Sequence, residues 1–303
     1  MLGVVVVLCL VGLVMVLSSS YVQALRDQGS SWLYFRRQVL WLMAGGVALV
    51  FAARTDYRLW RRLAVPLLAL SGLLLVVVLV PGTGISVNGS TRWLGVGSWR
   101  VQPSELAKLG ILCFSAAMLC RRPGVRGTSR LRPVLLALGA LAVLVMLQPD
   151  MGTTLIIGGI VMAVLYVDGA RLRTMAGLVV AAGGAAFVAG MAEPYRRARM
   201  ISFLNPWADA GNSGYQVVQS LVGMGTGGVT GVGLGASRAK WGFLPNAHTD
   251  FIFSVIGEEL GLIGSLLVIG LFVLFTLLGI RTALKAPDRF GTLLAAGITA
   301  WVT

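Results

Sequence analysis

Residues 244–280 read LPNAHTDFIFSVIGEELGLIGSLLVIGLFVLFTLLGI. From Ile252 to Ile280 the stretch is apolar except for Glu258, Glu259 and a few hydroxyls. It is longer than the roughly 20 residues that cross a bilayer as a helix. Its polar entrance holds the only histidine of the chain, His248, two residues before Asp250. The chain has 11 acidic residues in 303, so three of them at one segment end is not an effect of composition. Ionisable groups at or inside a membrane are expensive and mark functional sites by default.

Working outward, apolar runs of spanning length recur at about 2–20, 38–53, 63–81, 104–120, 133–148, 152–167 and 174–192, and a ninth begins near Gly291. The chain is 57% hydrophobic and 12% charged, against about 25% charged for soluble domains. The expected fold is therefore an all-α polytopic transmembrane bundle, a single domain over 1–303 with one large loop at 193–251. The first run lacks a basic leader, and Ser18-Ser19-Ser20 is a poor cleavage context, so it reads as a span and not as a signal peptide. Cys9, Cys113 and Cys120 lie in or at the ends of spans and form neither a disulfide framework nor a zinc pattern. With one histidine there is no histidine-based metal cluster.

The net charge of +14 would suit nucleic acid if it formed a contiguous patch. Instead, 14 of the 25 basic residues fall in alternate loops: Arg54, Arg58, Arg61 and Arg62; Arg121, Arg122, Arg126, Arg130 and Arg132; Arg171 and Arg173; Arg281, Lys285 and Arg289. That is the positive-inside pattern. It places these loops and the amino end in the cytoplasm, and it leaves no role for nucleic acid.

Three constellations fall on the other face. The first runs from Asn88 to Lys108. Trp93 and Trp99 suit the headgroup level, Pro103 opens the fourth span, and Glu105 and Lys108 share a helix face at i,i+3. It reads either as an interfacial anchor with a structural ion pair, or as a surface where Arg92, Arg100 and Lys108 meet an anionic headgroup. The second is Gln148-Pro149-Asp150-Met151-Gly152-Thr153, a tight turn in which Asp150 caps the next helix or contacts substrate. The third is the long loop. It carries Arg196, Arg197, Arg199, Arg238 and Lys240 on the side where orientation needs no positive charge, together with Trp207, Tyr215, Trp241 and Phe243 and seven glycines between Gly223 and Gly235. Val217–Leu221 is a candidate short amphipathic helix, and the glycines imply tight turns. His248 is a loop hydrogen-bonder or a substrate contact. Asp250 is an N-cap with Phe251 starting the span, a catalytic group, or both. Glu258 and Glu259 diverge by about 100° on a helix, so one faces the interior and the other a groove.

At these places the chain resembles the SEDS (shape, elongation, division and sporulation) family of membrane peptidoglycan glycosyltransferases, the FtsW/RodA group. The residues carrying the resemblance are NGSTRW at 88–93, QPSELAK at 102–108, QPDMGT at 148–153, NPW at 205–207, GYQVVQS at 214–220 and GVGLGASRAKWGFLPNAHTDFIFSVIGEELG at 231–261. NGSTRW, GLGASRAKWG and IGEELG resemble the division branch, typified by FtsW, more than the elongation branch. The resemblance covers essentially the whole chain. It implies a ten-span bundle in the bacterial cytoplasmic membrane, of which eight spans and part of a ninth are present, with an active site on the outer side. It implies polymerisation of lipid II onto a growing glycan strand, with Asp250 as the catalytic residue. It aligns Arg92, Trp93, Glu105, Lys108, Gln148 and Asp150 with positions that shape activity or the cavity. It further implies a class B penicillin-binding protein and other division proteins as partners. The family has a polar motif rich in Pro, Ser and Gly between its last two spans; this chain stops at Thr303 inside its ninth, and so is expected to be a fragment.

The chemistry implied is one inversion. A sugar hydroxyl attacks the anomeric carbon of a strand held on lipid pyrophosphate, and a base takes the proton. Asp250 is assigned as that base. Lys240, Arg238 and Arg92, or a divalent ion such as magnesium or manganese, would stabilise the leaving pyrophosphate, with His248 and Glu258 taken into the substrate-binding set. Two alternatives stay open: a lipid II flippase, although transporters carry their polar groups near the midplane, and a scaffold that recruits division proteins.

Overall fold

A computed structural model describes residues 1–28, 30–87, 90–96, 99–121, 128–191, 197 and 202–303. The apolar runs become helices: α1 (Leu2–Gln28), α2 (Leu33–Arg54), α3 (Arg58–Leu79), α4 (Pro103–Arg121), α5 (Thr128–Met146), α6 (Met151–Val167), α7 (Leu172–Met191), α9 (Ile252–Leu284) and α10 (Arg289–Val302). Among the described residues six are long and apolar enough to cross a membrane, and Met151–Val167, Leu172–Val188 and Arg289–Val302 are shorter apolar helices. The extra helix expected at Val217–Leu221 is present and longer, as α8 (Tyr215–Gly227). One element has no counterpart in the sequence reading. Residues 85–101 form an antiparallel meander of β1 (Ile85–Val87), β2 (Ser90–Val96) and β3 (Trp99–Val101), in the order β1-β2-β3. Ile85 faces Trp93, and Gly95 faces Arg100.

The chain parts into two compact units, Met1–Ala53 with Gly183–Phe275, and Arg54–Ala182 with Thr276–Thr303. In the second unit α4 is central. Ala107, Ile111, Leu112, Cys113, Ala116, Ala117 and Leu119 are buried against Leu75 of α3, Val134 of α5, Val161 and Val164 of α6, and Phe290 and Leu293 of α10. A lipid tail is as apolar as leucine, so close packing rather than hydrophobicity joins such helices, and small residues sit where backbones approach. Gly110 is such a point: a side-chain carbon there would lie 3.2 Å from Leu68 Cα and 3.1 Å from Ser71 Oγ. The same reasoning explains why Leu40, Val47, Phe51 and Leu73 are exposed, as apolar groups of membrane helices are when they face lipid.

One polar knot ties this unit at the ends of three helices. Asp168, its side chain 2% exposed, receives Arg130 Nη2 and Arg289 Nη2 at 2.6 Å each. Arg130 also donates to the Leu119 carbonyl at 2.9 Å. Two of the arginines read as topology signals thus hold the ends of α5, α6 and α10 together.

In the first unit α9 is broken. Gly261 has φ 67° and ψ −163°, inside what is otherwise one helix. A break in a spanning helix strands backbone groups that lipid cannot satisfy, so protein must do so. The glycine-rich loop after α8 supplies the partners. Leu262 and Ile263 donate N–H to the carbonyls of Gly228 (2.9 Å) and Val229 (3.2 Å), while Val232 and Gly233 donate to the carbonyls of Glu258 (2.9 Å) and Glu259 (3.0 Å). Of the seven glycines, Gly227 and Gly231 serve this close backbone approach, the first against the Gly257 carbonyl. At Gly231, with φ 81°, an added Cβ would run into the Glu259 carbonyl.

Candidate functional site

In the second unit the structure brings together the Arg92 and Asp150 constellations. Asp150 caps α6 as its place in the sequence suggests: its carboxylate accepts from Thr153 N (3.1 Å) and Thr153 Oγ1 (2.8 Å). Arg92, on β2, donates Nε to the Gln148 carbonyl at 3.1 Å and Nη2 to the Pro149 carbonyl at 2.5 Å, and its Nη1 lies 3.7 Å from Asp150 Oδ2. Gln102 donates to the same Oδ2 at 3.4 Å. Gln148 is buried and donates to the Leu75 carbonyl at 3.2 Å. The sheet is thus clamped to the turn before α6, and Arg92 is a clamp residue whose donors are engaged. Trp93 is half-buried beside it.

Lys108 is buried on α4, 2.7 Å from Glu105 and 5.3 Å from the ring centre of Trp301. An ammonium over an aromatic face gains from the ring quadrupole, which is one reason a lysine is tolerated in that interior. The Glu105 side chain keeps 54% exposure, so of this pair the carboxylate is open to a ligand and the cation is not.

In the first unit the segment 237–259 closes on itself. Glu258, near the break in α9, accepts from Ser237 Oγ (2.5 Å), Arg238 N (2.8 Å) and Ala239 N (3.4 Å). Glu259 accepts from Ser18 Oγ of α1 on both oxygens (2.8 and 2.7 Å) and from Ser237 N (3.3 Å), and Lys240 Nζ lies 3.7 Å from its Oε1. Lys240 also donates to the Gly235 carbonyl. Glu258 and Glu259 are buried, and the Lys240 side chain is only 7% exposed. Two residues expected to meet substrate, Glu258 and Lys240, are therefore engaged internally, and Ser18 and Ser237 join them. A serine triplet near the end of an apolar span was the available signal for Ser18, since a hydroxyl at that depth seeks a buried partner.

From Lys240 the chain climbs to the candidate base. Leu244 and Ala247 are buried with Met15, Val255 and Ile256. Tyr215 of α8 donates its hydroxyl to the Phe243 carbonyl at 2.8 Å. The Asn246 carbonyl accepts from Thr249 N (3.1 Å) and Phe251 N (3.4 Å) and closes the turn before α9, with Asn246 itself at φ 57°. The helix begins at Ile252, one residue beyond the start that would make Asp250 its cap. Asp250 stands exposed at the tip of this turn, and among the described residues no hydrogen bond or ion pair engages its carboxylate. His248 is partly buried, its ring 5.0 Å from that of Tyr34 of α2. Arg238 is exposed. Arg100 is exposed on β3. Asn88, Gly89, Arg122, Arg126, Arg196, Arg199 and the Trp99 side chain lie outside the described residues.

The result is an exposed acid on a turn whose flanks are buried and hydrogen-bonded, with an exposed arginine twelve residues earlier. It can take a proton from a bound hydroxyl. Among the described residues no group of three or more His, Cys, Asp or Glu side chains could hold a metal ion.

Comparison with known proteins places these features. A family model described as a cell cycle protein of the FtsW, RodA and SpoVE type matches residues 1–303. A probable peptidoglycan glycosyltransferase FtsW from Geobacter metallireducens is 40% identical over 289 residues, covering 95% of this chain and 77% of that protein. Among solved structures, a peptidoglycan synthase complex described as coordinating polymerization and crosslinking contains a chain 29% identical, with a TM-score of 0.78, covering 99% of this chain and 82% of that one. The rod shape determining protein RodA of Thermus thermophilus is 26% identical, with a TM-score of 0.65, covering 97% of this chain and 80% of that one.

Proposed function

We propose, for a chain that belongs to the FtsW, RodA and SpoVE family of cell cycle proteins, the reaction that its site supports. The protein is a peptidoglycan glycosyltransferase. Its substrates are lipid II and the growing glycan strand, and its setting is septal wall synthesis in the bacterial cytoplasmic membrane. The amino end is assigned to the cytoplasm and the 193–251 loop to the outside, a reading that the distribution of arginine supports.

In the proposed step an acceptor sugar hydroxyl attacks the anomeric carbon of the strand carried on lipid pyrophosphate. The new carbon–oxygen bond forms as the anomeric carbon–phosphate oxygen bond breaks, and the configuration inverts once. Asp250 takes the hydroxyl proton, and the pyrophosphate leaves with the bonding pair. No covalent enzyme intermediate is needed, which matches a turn that presents one available carboxylate. Arg238, exposed where Lys240 is not, is the cation proposed for the pyrophosphate. Glu105 and Trp93 are the proposed contacts to lipid II in the second unit. A class B penicillin-binding protein would crosslink the product.

The observation that carries this reading is the contrast within one loop: Glu258 and Glu259 are buried and saturated, while Asp250 is open. The break in α9 is the feature that favours a flippase, because transporters use broken helices at their sites. Here, however, the freed backbone groups pair with the loop rather than line a path. Detergent separates the two. Purified protein with lipid II and the partner transpeptidase in micelles has no leaflets to cross, so a glycosyltransferase makes strands there and a flippase makes none. Absence of polymer from a folded complex would refute the reading.

A further inference from the structure

The loop that carries Asp250 is held at its lower end by a carboxylate latch. Between Ser237 and Glu258 the chain leaves the glycine-rich loop that follows α8, forms a short 3-10 helix (Ala239–Trp241), passes through Leu244 and Ala247 to the Asp250 turn, and enters α9. Glu258 joins the two feet of this loop through three donors at 237–239. Glu259 adds a second joint, holding Ser18 of α1 on one side and Ser237 N and Lys240 on the other. The Leu244 N–H to Ala239 carbonyl bond (3.2 Å) carries the constraint upward. Every polar atom of this latch points at another part of the chain, and none is placed to reach a ligand.

We propose that Glu258, Glu259, Lys240 and Ser18 are positioning residues for Asp250, and that Lys240 acts through Glu259 and not on the pyrophosphate. The proposal rests on the assignment of Asp250 as the base. Its reasoning is geometric: a catalytic group displaced by about 1 Å loses about 100-fold in rate. The turn is held by the Tyr215–Phe243 bond, the Asn246 carbonyl and its small apolar anchor, and the latch fixes the two feet on which these rest.

The chemistry of the pair makes the test decisive. Lys240→Met leaves the buried Glu259 charge without its cation, whereas Lys240→Met with Glu259→Gln removes both charges and keeps an amide oxygen for Ser18 and Ser237. Removing both members of a buried pair is commonly far less harmful than removing one. The full-length chain with its partner transpeptidase would be assayed for lipid II polymerisation. Lys240→Met is expected to lower kcat by about 100-fold with KM for lipid II little changed, and the double variant is expected to regain roughly tenfold. A double variant no better than Lys240→Met, or a single variant that raises KM alone, would show Lys240 touching substrate and would overturn the proposal. The same three proteins with a nitroxide label at Thr249→Cys give a readout independent of activity. Line broadening should sharpen to a mobile spectrum in Lys240→Met and recover in the double variant. An immobile label in Lys240→Met refutes the latch even if the protein proves not to be a glycosyltransferase. Loss of polymerisation in the wild type with the label behaving as described would instead indict the functional reading and leave the latch standing.

Discussion

Gly261→Ala adds one methyl group at the break in α9, and the structure sets how much it should cost. The residue sits at φ 67°, ψ −163°, a region essentially closed to residues with a Cβ, where strain is about 1–3 kcal/mol. The added carbon would lie 2.5 Å from the Val229 carbonyl oxygen and would also strike Gly231 N. The loop must therefore withdraw. Four backbone hydrogen bonds join residues 228–233 to 258–263; losing two of them at about 1 kcal/mol each brings the total to roughly 3–5 kcal/mol. Gly270, in the same helix, has nothing within 4 Å of the equivalent carbon, so Gly270→Ala should be neutral or gain up to about 1 kcal/mol in helix propensity. Thermal unfolding of the two variants in one detergent is the assay. Gly261→Ala should melt roughly 5–15 °C below wild type, while Gly270→Ala does not. Equal melting of the two variants would refute the claim that the loop's approach to the broken helix holds this unit together.

Two further outcomes concern the second unit. Asp168→Leu leaves Arg130, whose side chain is 13% exposed, without its carboxylate. The loss should be about 3 kcal/mol, and Arg130→Leu added to it should restore much of that; melting temperatures of the single and double variants measure both. Asp150→Asn keeps an N-cap acceptor and should melt close to wild type. Asp150→Ala should lose about 1 kcal/mol for the cap, with protease sensitivity rising at the 85–101 sheet as Arg92 and Gln102 lose a partner. Identical melting of the two Asp150 variants would remove capping as the residue's role.

What the sequence made legible followed from periodicity and local chemistry. Length and apolarity located the spans because lipid imposes both. Glu105 with Lys108, Asp150 with Thr153 and the short helix α8 were readable because each is a local pattern, settled within a turn or two of chain. The small sheet is hard to read from sequence because tryptophans and arginines at 92–100 suit an interfacial anchor equally well. Asn88-Gly89 between two short runs is the hairpin signal that would have found it. The Gly261 break was invisible for a different reason: GLG inside a long apolar run looks like a helix interior, and its cause is a loop some thirty residues away. The same distance hid the partners of Lys240 and Glu258. A lone lysine in an outer loop looks like an anion contact until Glu259 is seen beneath it, and a glutamate pair looks half open until residues 237–239 are seen to saturate one member and Ser18 the other. Asp250 stands exposed as the sequence's candidate base, while the capping role open to it is absent because α9 starts at Ile252, one residue too late for Asp250 to be its cap.

The central claim, that the exposed Asp250 carboxylate is the base of a glycan polymerase, is tested most directly by lipid II polymerisation with wild type, Asp250→Asn and Asp250→Glu, each reconstituted full length with the partner transpeptidase. Asp250→Asn keeps the size of the side chain and removes its proton affinity. General-base removal costs typically about 100- to 10,000-fold, so strands should vanish from Asp250→Asn while its membrane insertion and complex formation match wild type, and Asp250→Glu should retain a trace. Strands from Asp250→Asn at the wild-type rate would contradict the account at its foundation.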